Sequence, residues 1–232
     1  MLSRAITRAF NQILDRAFRR VVLIALAMAL GVFVVLFIVL QATIPGLVHF
    51  GIDWLDEAFG WIFGVTLAPV MLIVAYFFFP AVATLFMSLF LDDIVDAVED
   101  RHYPDNKAYR KVPLGESLLM ALRMSAVVIA ANLIALPVYA VLLFTGIGPF
   151  VLFFLLNSYL LGREYFEMIA VRHFPVYDAR RLWRAKRDKA FLGGAAITTA
   201  FLVPFVNLLG PLIGAAVMVH IFHDILDRGK TA

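Results

Sequence analysis

The chain alternates between long apolar segments and short clusters of charge. Residues 21–40 and 58–91 contain no charged side chain. At about 1.5 Å per residue, the first of these segments covers ~30 Å, the thickness of the hydrocarbon core of a bilayer. The second contains two prolines, which kink a helix by removing a backbone donor. The pattern predicts two long transmembrane helices, over residues 19–50 and 58–100, the second of them kinked.

Two further apolar segments are interrupted by turns rich in glycine and proline. Residues 117–172 are interrupted at 145–149, and residues 190–227 at 206–211. The limbs of the second segment cover ~24 Å and ~14 Å, so neither crosses a bilayer core comfortably, although the last limb could extend towards residue 226. Both segments are therefore predicted to be helical hairpins that are only partially inserted in the membrane.

Two amphipathic segments complete the pattern. In residues 1–18, apolar side chains recur at helical spacing and arginines occupy another face, which is typical of an interfacial helix; a frayed terminus is the alternative. Residues 176–189 are rich in arginine and contain Trp183, so a second, basic interfacial helix is predicted there. The predicted fold class is an all-α integral membrane protein that forms a single membrane domain over residues 1–232.

Composition agrees with this class. The chain is 63% hydrophobic and only 16% charged, whereas soluble domains carry about 25% charged residues. It has no cysteine, which excludes disulfides, thiol catalysis and cysteine-ligated metal sites.

The distribution of positive charge predicts the orientation. Of the 20 lysines and arginines, all but Arg123 lie in the segments that would face one side of the membrane. By the positive-inside rule, both termini are expected to be cytoplasmic. The basic segments adjoin predicted spans, so anionic lipid is a better partner for them than nucleic acid, which we do not expect.

An acidic cluster at Asp92, Asp93 and Asp96 raises the possibility of catalysis. On a helix these carboxylates could bind Mg²⁺ and a diphosphate, as in an intramembrane enzyme. Such a site needs a second acidic cluster around the same cavity, and the sequence has none. The favoured interpretation is a solvated helix end, and we do not expect an enzyme.

A second motif, at His220, His223 and Asp224, could place three metal ligands on one helical face. Histidines at a membrane boundary more often face headgroups, which is the favoured interpretation. We therefore expect no metal site. No nucleotide-binding or hydrolase motif is present, and no cofactor is expected.

Charged residues next to apolar segments favour transport. Arg123, Arg163, Glu164 and Glu167 adjoin or enter the apolar runs, where charge is costly and usually pairs or lines a wet path. They are candidates for a pore or gating network. A structural set of ion pairs at the cytoplasmic interface is the alternative.

A pair of arginines, Arg19 and Arg20, opens the first predicted span. Paired guanidinium groups beside the free N–H groups of a helix start bind an oxyanion well. These two residues are the predicted anion-binding site, and an ordinary positive-inside anchor is the alternative. The two hairpin turns would likewise direct helix N-termini, which attract anions, towards the membrane interior.

Three stretches resemble the CysZ-type sulfate permease family, also called the etoposide-induced domain family. They read VEDRHYP (98–104), LLNSYLLGREYFEMIAVRHF (155–174) and FLVPFVNLLGPLIGAAVMVHIF (201–222). The resemblance implies an all-helical bacterial inner-membrane protein with long spanning helices and half-inserted hairpins. It also implies sulfate uptake that supplies assimilation and cysteine synthesis, and a homo-oligomer.

In that family, a Gly-Leu-Arg-type motif at the start of the first span is associated with sulfate binding. The matching residues 17–20 read Ala-Phe-Arg-Arg, so the arginines are kept and the glycine is not. Glu164, Glu167 and His173 are candidates for proton coupling. Of these residue types, histidine is the one whose unperturbed pKa lies near neutrality. The leading hypothesis is a sulfate channel or secondary transporter. A non-transporting membrane interaction or lipid-handling protein is the main alternative.

Overall fold

The computed structural model describes residues 2–12, 15–108, 110, 112–204 and 206–230. Within them the chain forms α-helices and short 3₁₀ turns, and no β-strand occurs. The α-helices are α1 (Leu2–Gln12), α2 (Arg16–Leu47), α3 (Asp53–Ser88), α4 (Leu91–His102), α5 (Leu114–Leu142), α6 (Gly148–His173), α7 (Val176–Ala185), α8 (Arg187–Leu202) and α9 (Gly210–Lys230). The predicted all-helical class is confirmed.

Four helical segments are long and apolar enough to cross a membrane: Arg16–Leu47, Asp53–Ser88, Leu114–Thr145 and Asn207–Asp227. The first three agree with the predicted apolar segments. The depth to which the hairpins enter the membrane stays a prediction.

The last hairpin differs from its prediction, because its second limb is longer than expected. The limb α9 has 21 residues and covers ~32 Å, not ~14 Å. It continues through His220 and His223, since both histidines are buried and find hydrogen-bond partners on other elements. Polar residues that are satisfied inside the protein do not end a helix.

The prediction of one continuous helix over residues 58–100 is also wrong in one respect. The helix α3 ends at Ser88, and α4 begins at Leu91. Between them, the backbone N–H of Leu89 donates to the carbonyl of Phe86 at 3.1 Å, which is a tighter turn than an α-helix makes. The break lets α4 bury an apolar face of its own, and Ile94, Val95 and Val98 are fully buried.

The two interfacial segments are helical, with different bounds from those predicted. The helix α1 ends at Gln12, and Arg16–Phe18 belong to α2; residues 1, 13 and 14 lie outside the described residues. The basic helix α7 ends at Ala185, so the last residues of the predicted segment 176–189 begin α8.

Packing divides the chain into two compact units. One unit, residues 19–90, contains most of α2 and all of α3. Its core is formed by Phe33, Leu67 and Met71. A Cβ added to Gly64 would lie 3.0 Å from Nε2 of Gln41 on α2, so this glycine lets the two helices approach closely.

The other unit comprises residues 1–18 and 91–232 and is built around α9. Helices α1, α4, α6 and α8 all pack against α9, and 83% of its apolar window is buried inside the protein. Beside it, α6 and α8 meet backbone to backbone. A Cβ added to Gly194 would lie 1.8 Å from the carbonyl oxygen of Ser158, so only glycine fits there. This unit positions the candidate site.

Candidate functional site

A buried carboxylate lies at the centre of the second unit. Glu99 shares the apolar face of α4 with Val95, one helical turn earlier, and its side chain is 0% exposed. Its Oε1 atom accepts hydrogen bonds from Nε2 of His173 at 2.8 Å and Nε2 of His223 at 3.1 Å. Its Oε2 atom accepts one from the backbone N–H of Ala108 at 3.1 Å. Glu99 thereby connects α4, α6 and α9.

Two further aromatic contacts extend this group. The ring of Tyr103 stacks on that of His223, with centroids 3.9 Å apart and an interplanar angle of 6°. The Tyr103 hydroxyl lies 2.8 Å from Nδ1 of His220, whose ring centroid is 5.1 Å from that of His102. A continuous series of ionisable side chains therefore runs from Glu99 to His102.

The hydrogen bonds set the charge of Glu99. Burial alone would raise its pKa, but the donors His173, His223 and Ala108 outweigh burial and lower the pKa of Glu99 to about 2. Burial raises the pKa of Tyr103, and burial together with the positive charges of Arg8 and Arg101 lowers the pKa of His102. At neutral pH the carboxylate of Glu99 is therefore ionised and the phenol of Tyr103 is neutral. The imidazole of His102, at the other end of the series, is also neutral.

A second polar group, here called the arginine cluster, consists of Arg123, Arg163, Arg180 and Arg184. The Nε of Arg163 donates to Oε1 of Glu167 at 2.8 Å, and Nε of Arg180 lies 3.8 Å from Oε2 of the same carboxylate. Among the described residues, Arg123 and Arg184 have no ion-pair partner. Glu167 thus contacts two of the four arginines.

The arginine cluster carries uncompensated positive charge. Burial and then the charges of Arg123, Arg163 and Arg184 lower the pKa of Arg180, against the opposing charge of Glu167. The guanidinium of Arg163 also lies 4.8 Å from the ring centroid of Trp183 on α7, a cation–π contact that fixes its position. The cluster therefore has an excess of positive charge, and Arg163 is held in place within it.

The acidic cluster at the start of α4 has a structural partner. The guanidinium of Arg172 on α6 donates to Asp92 at 2.6 Å and also to Asp96, while Asp93 is exposed. Two of the three carboxylates are therefore held in ion pairs between helices. The sequence suggested a solvated helix end and did not reveal this partner.

The predicted anion-binding residues Arg19 and Arg20 lie on α2, where both are exposed. Neither has an ion-pair partner in the part of the chain that the structure describes. Because α2 begins at Arg16, their backbone N–H groups lie inside the helix. The donors they offer are guanidinium groups only, without the free N–H groups that the sequence suggested.

The other predicted residues fall into different surroundings. Arg123 and Arg163 belong to the arginine cluster, and Glu167 contacts it. Glu164 is exposed. His173 is instead a partner of Glu99. The suggested group of His220, His223 and Asp224 does not form a single site, because the two imidazoles bond to different partners.

Sequence reasoning missed the roles of Glu99 and Tyr103. The signal for Glu99 is its spacing, since it follows Val95 by four residues and Val98 by one on a short helix. An acidic residue on an apolar face is expected to be buried with partners. The identity of the histidines that supply those partners depends on tertiary packing, so no local sequence pattern reveals it.

Residues 5–211 match the model of a family described as Sulfate transporter CysZ/Etoposide-induced protein 2.4. This range includes Glu99, His173 and the arginine cluster, and it ends before His223. No curated protein matches the chain in a sequence search. Together with the four candidate spans, the match identifies a multi-pass membrane protein.

Proposed function

Because the chain belongs to the CysZ/etoposide-induced protein 2.4 family, a family of transporters, we propose that it carries sulfate or a similar oxyanion across the bacterial inner membrane. It acts as a channel or a secondary transporter and supplies sulfate for assimilation and cysteine synthesis. Both termini are cytoplasmic, the basic helix α7 rests on anionic lipid, and the chain forms a homo-oligomer.

The observation that carries this proposal is the excess of positive charge in the arginine cluster. Sulfate is a strongly hydrated dianion, so its entry requires donors that replace bound water. Guanidinium groups supply several N–H donors in a fixed plane and stay charged at any physiological pH. The combined charge of the four arginines attracts an anion, and Glu167, which contacts Arg163 and Arg180, keeps the attraction weak enough for release.

Arg19 and Arg20 are the proposed anion-binding residues. Their exposed guanidinium groups, which have no ion-pair partner among the described residues, are free to bind an oxyanion. Arg123, Arg163, Glu164, Glu167 and His173 remain candidates for the pore or gating network.

The proposal is tested with radiolabelled sulfate and proteoliposomes of the purified protein. The double variant Arg19→Ala with Arg20→Ala should reduce the initial uptake rate at least tenfold relative to wild type, because each lost charged hydrogen bond is worth ~1.5–3 kcal/mol. The matched control is Arg181→Ala with Arg187→Ala, which removes the same charge from two exposed positions and should transport normally.

The outcomes separate the site from the function. Wild-type uptake with an unchanged rate in the Arg19/Arg20 variant would move the anion site elsewhere. Equal loss in both double variants would show a general effect of net charge. If wild-type vesicles take up sulfate no faster than empty vesicles do, the transporter hypothesis is rejected and the non-transporting alternative is favoured.

A further inference from the structure

The carboxylate of Glu99 is buried, and no lysine or arginine of the described residues pairs with it. Its side chain is 0% exposed. Its donors among the described residues are two imidazoles and one backbone amide. A buried charge is normally paired with an opposite charge or coordinated to a metal. The surroundings of Glu99 therefore leave a place for a cation.

The three side chains that converge there have the atoms and the spacing that a metal requires. One oxygen of Glu99 and one ring nitrogen each of His173 and His223 all lie within 4.8 Å of one another. In a tetrahedral zinc site with bonds of ~2.0–2.2 Å, neighbouring ligand atoms are ~3.3–3.5 Å apart. The observed distances from Glu99 Oε1 are 2.8 and 3.1 Å, so small rotations of the rings would admit an ion.

The donor set selects the class of ion. Two imidazoles and one carboxylate suit borderline cations such as Zn²⁺, whereas Mg²⁺ and Ca²⁺ prefer oxygen ligands only. The three ligands come from three helices, α4, α6 and α9. Three protein ligands leave the fourth position of a tetrahedral ion for water or another molecule.

A cavity gives the site access from outside. His173 lines a cavity of about 560 Å³, whose wall also contains Asp105, Lys107 and Lys186. Glu99 and His223 are fully buried, and His173 is the member of the group that an entering ion would meet first.

We propose that Glu99, His173 and His223 form a binding site for a divalent transition-metal cation, of which Zn²⁺ fits best. Binding replaces the two hydrogen bonds to Oε1 by three bonds to the ion. In the bound state each imidazole presents its Nε2 lone pair to the ion and carries a proton on Nδ1. The bound ion joins α4, α6 and α9. The proposal does not depend on which anion the protein transports.

The experiment uses full-length protein in detergent, with any affinity tag removed and with metals stripped by a chelator. After addition of ZnCl₂ and desalting, bound zinc is measured by mass spectrometry. Wild type should retain one zinc ion per chain and should melt at a higher temperature with zinc than without it. CoCl₂ should give the visible absorption bands of tetrahedral Co²⁺.

Single variants Glu99→Gln, His173→Gln and His223→Gln should each reduce bound zinc to background and abolish the cobalt bands. The matched control is His49→Gln, which removes a histidine from an exposed position and should leave binding intact. Circular dichroism checks that each variant is folded.

Stripped wild type that retains no zinc and gives no tetrahedral cobalt spectrum would overturn the proposal, whatever the variants do. So would zinc retained at the wild-type level by folded His173→Gln and His223→Gln proteins. Loss of binding in His49→Gln alone would place the metal elsewhere and would equally reject this site.

Discussion

Glu99 accepts hydrogen bonds on both of its oxygens, and all its donors come from outside its own helix. This arrangement keeps the carboxylate ionised although it is buried. It also makes the partners dependent on Glu99, because His173 and His223 both direct Nε2 towards the same oxygen. Changes at this residue should therefore affect three helices at once.

We predict that Glu99→Ala destabilises the protein far more than Asp93→Ala does. Leaving a buried polar group without its partner costs ~1–3 kcal/mol, and Glu99→Ala does this to two imidazoles and one amide. Asp93 is an exposed acid on the same helix, so its removal should cost little. Thermal melting in detergent with a chelator present compares them, and equal shifts would contradict the described network.

At the scale of helices, the ion pairs of Arg172 hold α6 against α4. The guanidinium bonds to both Asp92 and Asp96, and only 12% of the Arg172 side chain is exposed. Removing it would leave two like charges one turn apart on α4. The acidic cluster thus holds α6 as well as forming the start of α4.

We predict that Arg172→Ala loosens α4 without unfolding the protein. Exposed ion pairs are worth ~0–1 kcal/mol each, so the change in overall stability should be small. Hydrogen exchange of the backbone amides in Leu91–His102 should be faster, while exchange in α3 should not change. Arg181→Ala serves as the control, and unchanged exchange in α4 would show that these pairs do not hold the helix.

The contact between α6 and α8 depends on two glycines. A Cβ on Gly194 would lie 1.8 Å from a carbonyl oxygen, and one on Gly162 would lie 2.4 Å from another. Neither distance can be relieved by a side-chain rotation, because the obstructing atoms belong to the backbone. The helices must separate if either glycine is replaced.

Gly194→Ala is therefore expected to destabilise the protein by ~1–3 kcal/mol or more. Gly31→Ala is the matched control, because a Cβ at Gly31 meets nothing within 4 Å and alanine favours a helix by ~1 kcal/mol over glycine. Melting temperatures should move in opposite directions. A stable Gly194→Ala protein would mean that α6 and α8 are farther apart than described.

At the scale of the whole molecule, the sequence predicts the helical segments well because membrane thickness sets the length of an uncharged run. The predicted segments 19–50 and 117–172 agree closely with α2 and with the pair α5 and α6. Hydropathy does not reveal what covers an apolar helix, however. The helix α9 is apolar enough to cross a membrane, yet 83% of its apolar window is buried inside the protein.

The break between α3 and α4 escaped prediction for a related reason. No proline or glycine marks Leu89 and Phe90, so nothing local ends the helix there. The turn forms because α4 buries its own apolar face on α9. The roles of Arg19 and Arg20 stay predictions, because the exposure of a side chain does not show which ligand it binds.

The depth of the hairpin turns is a further prediction for the whole molecule. The chain has no cysteine, so single cysteines can be introduced at Phe144 and Asn207 in the two turns and at His49 in the loop before α3, all exposed positions. Partially inserted hairpins should give slower labelling by a membrane-impermeant maleimide at the two turns than at His49. Equal labelling at all three would place the turns in water.

The central claim is that the protein transports sulfate, and initial uptake of radiolabelled sulfate into proteoliposomes tests it most directly. Wild-type vesicles should accumulate sulfate faster than empty vesicles, and excess unlabelled sulfate should compete. Uptake at the rate of empty vesicles, with protein shown to be folded and incorporated, would contradict the account.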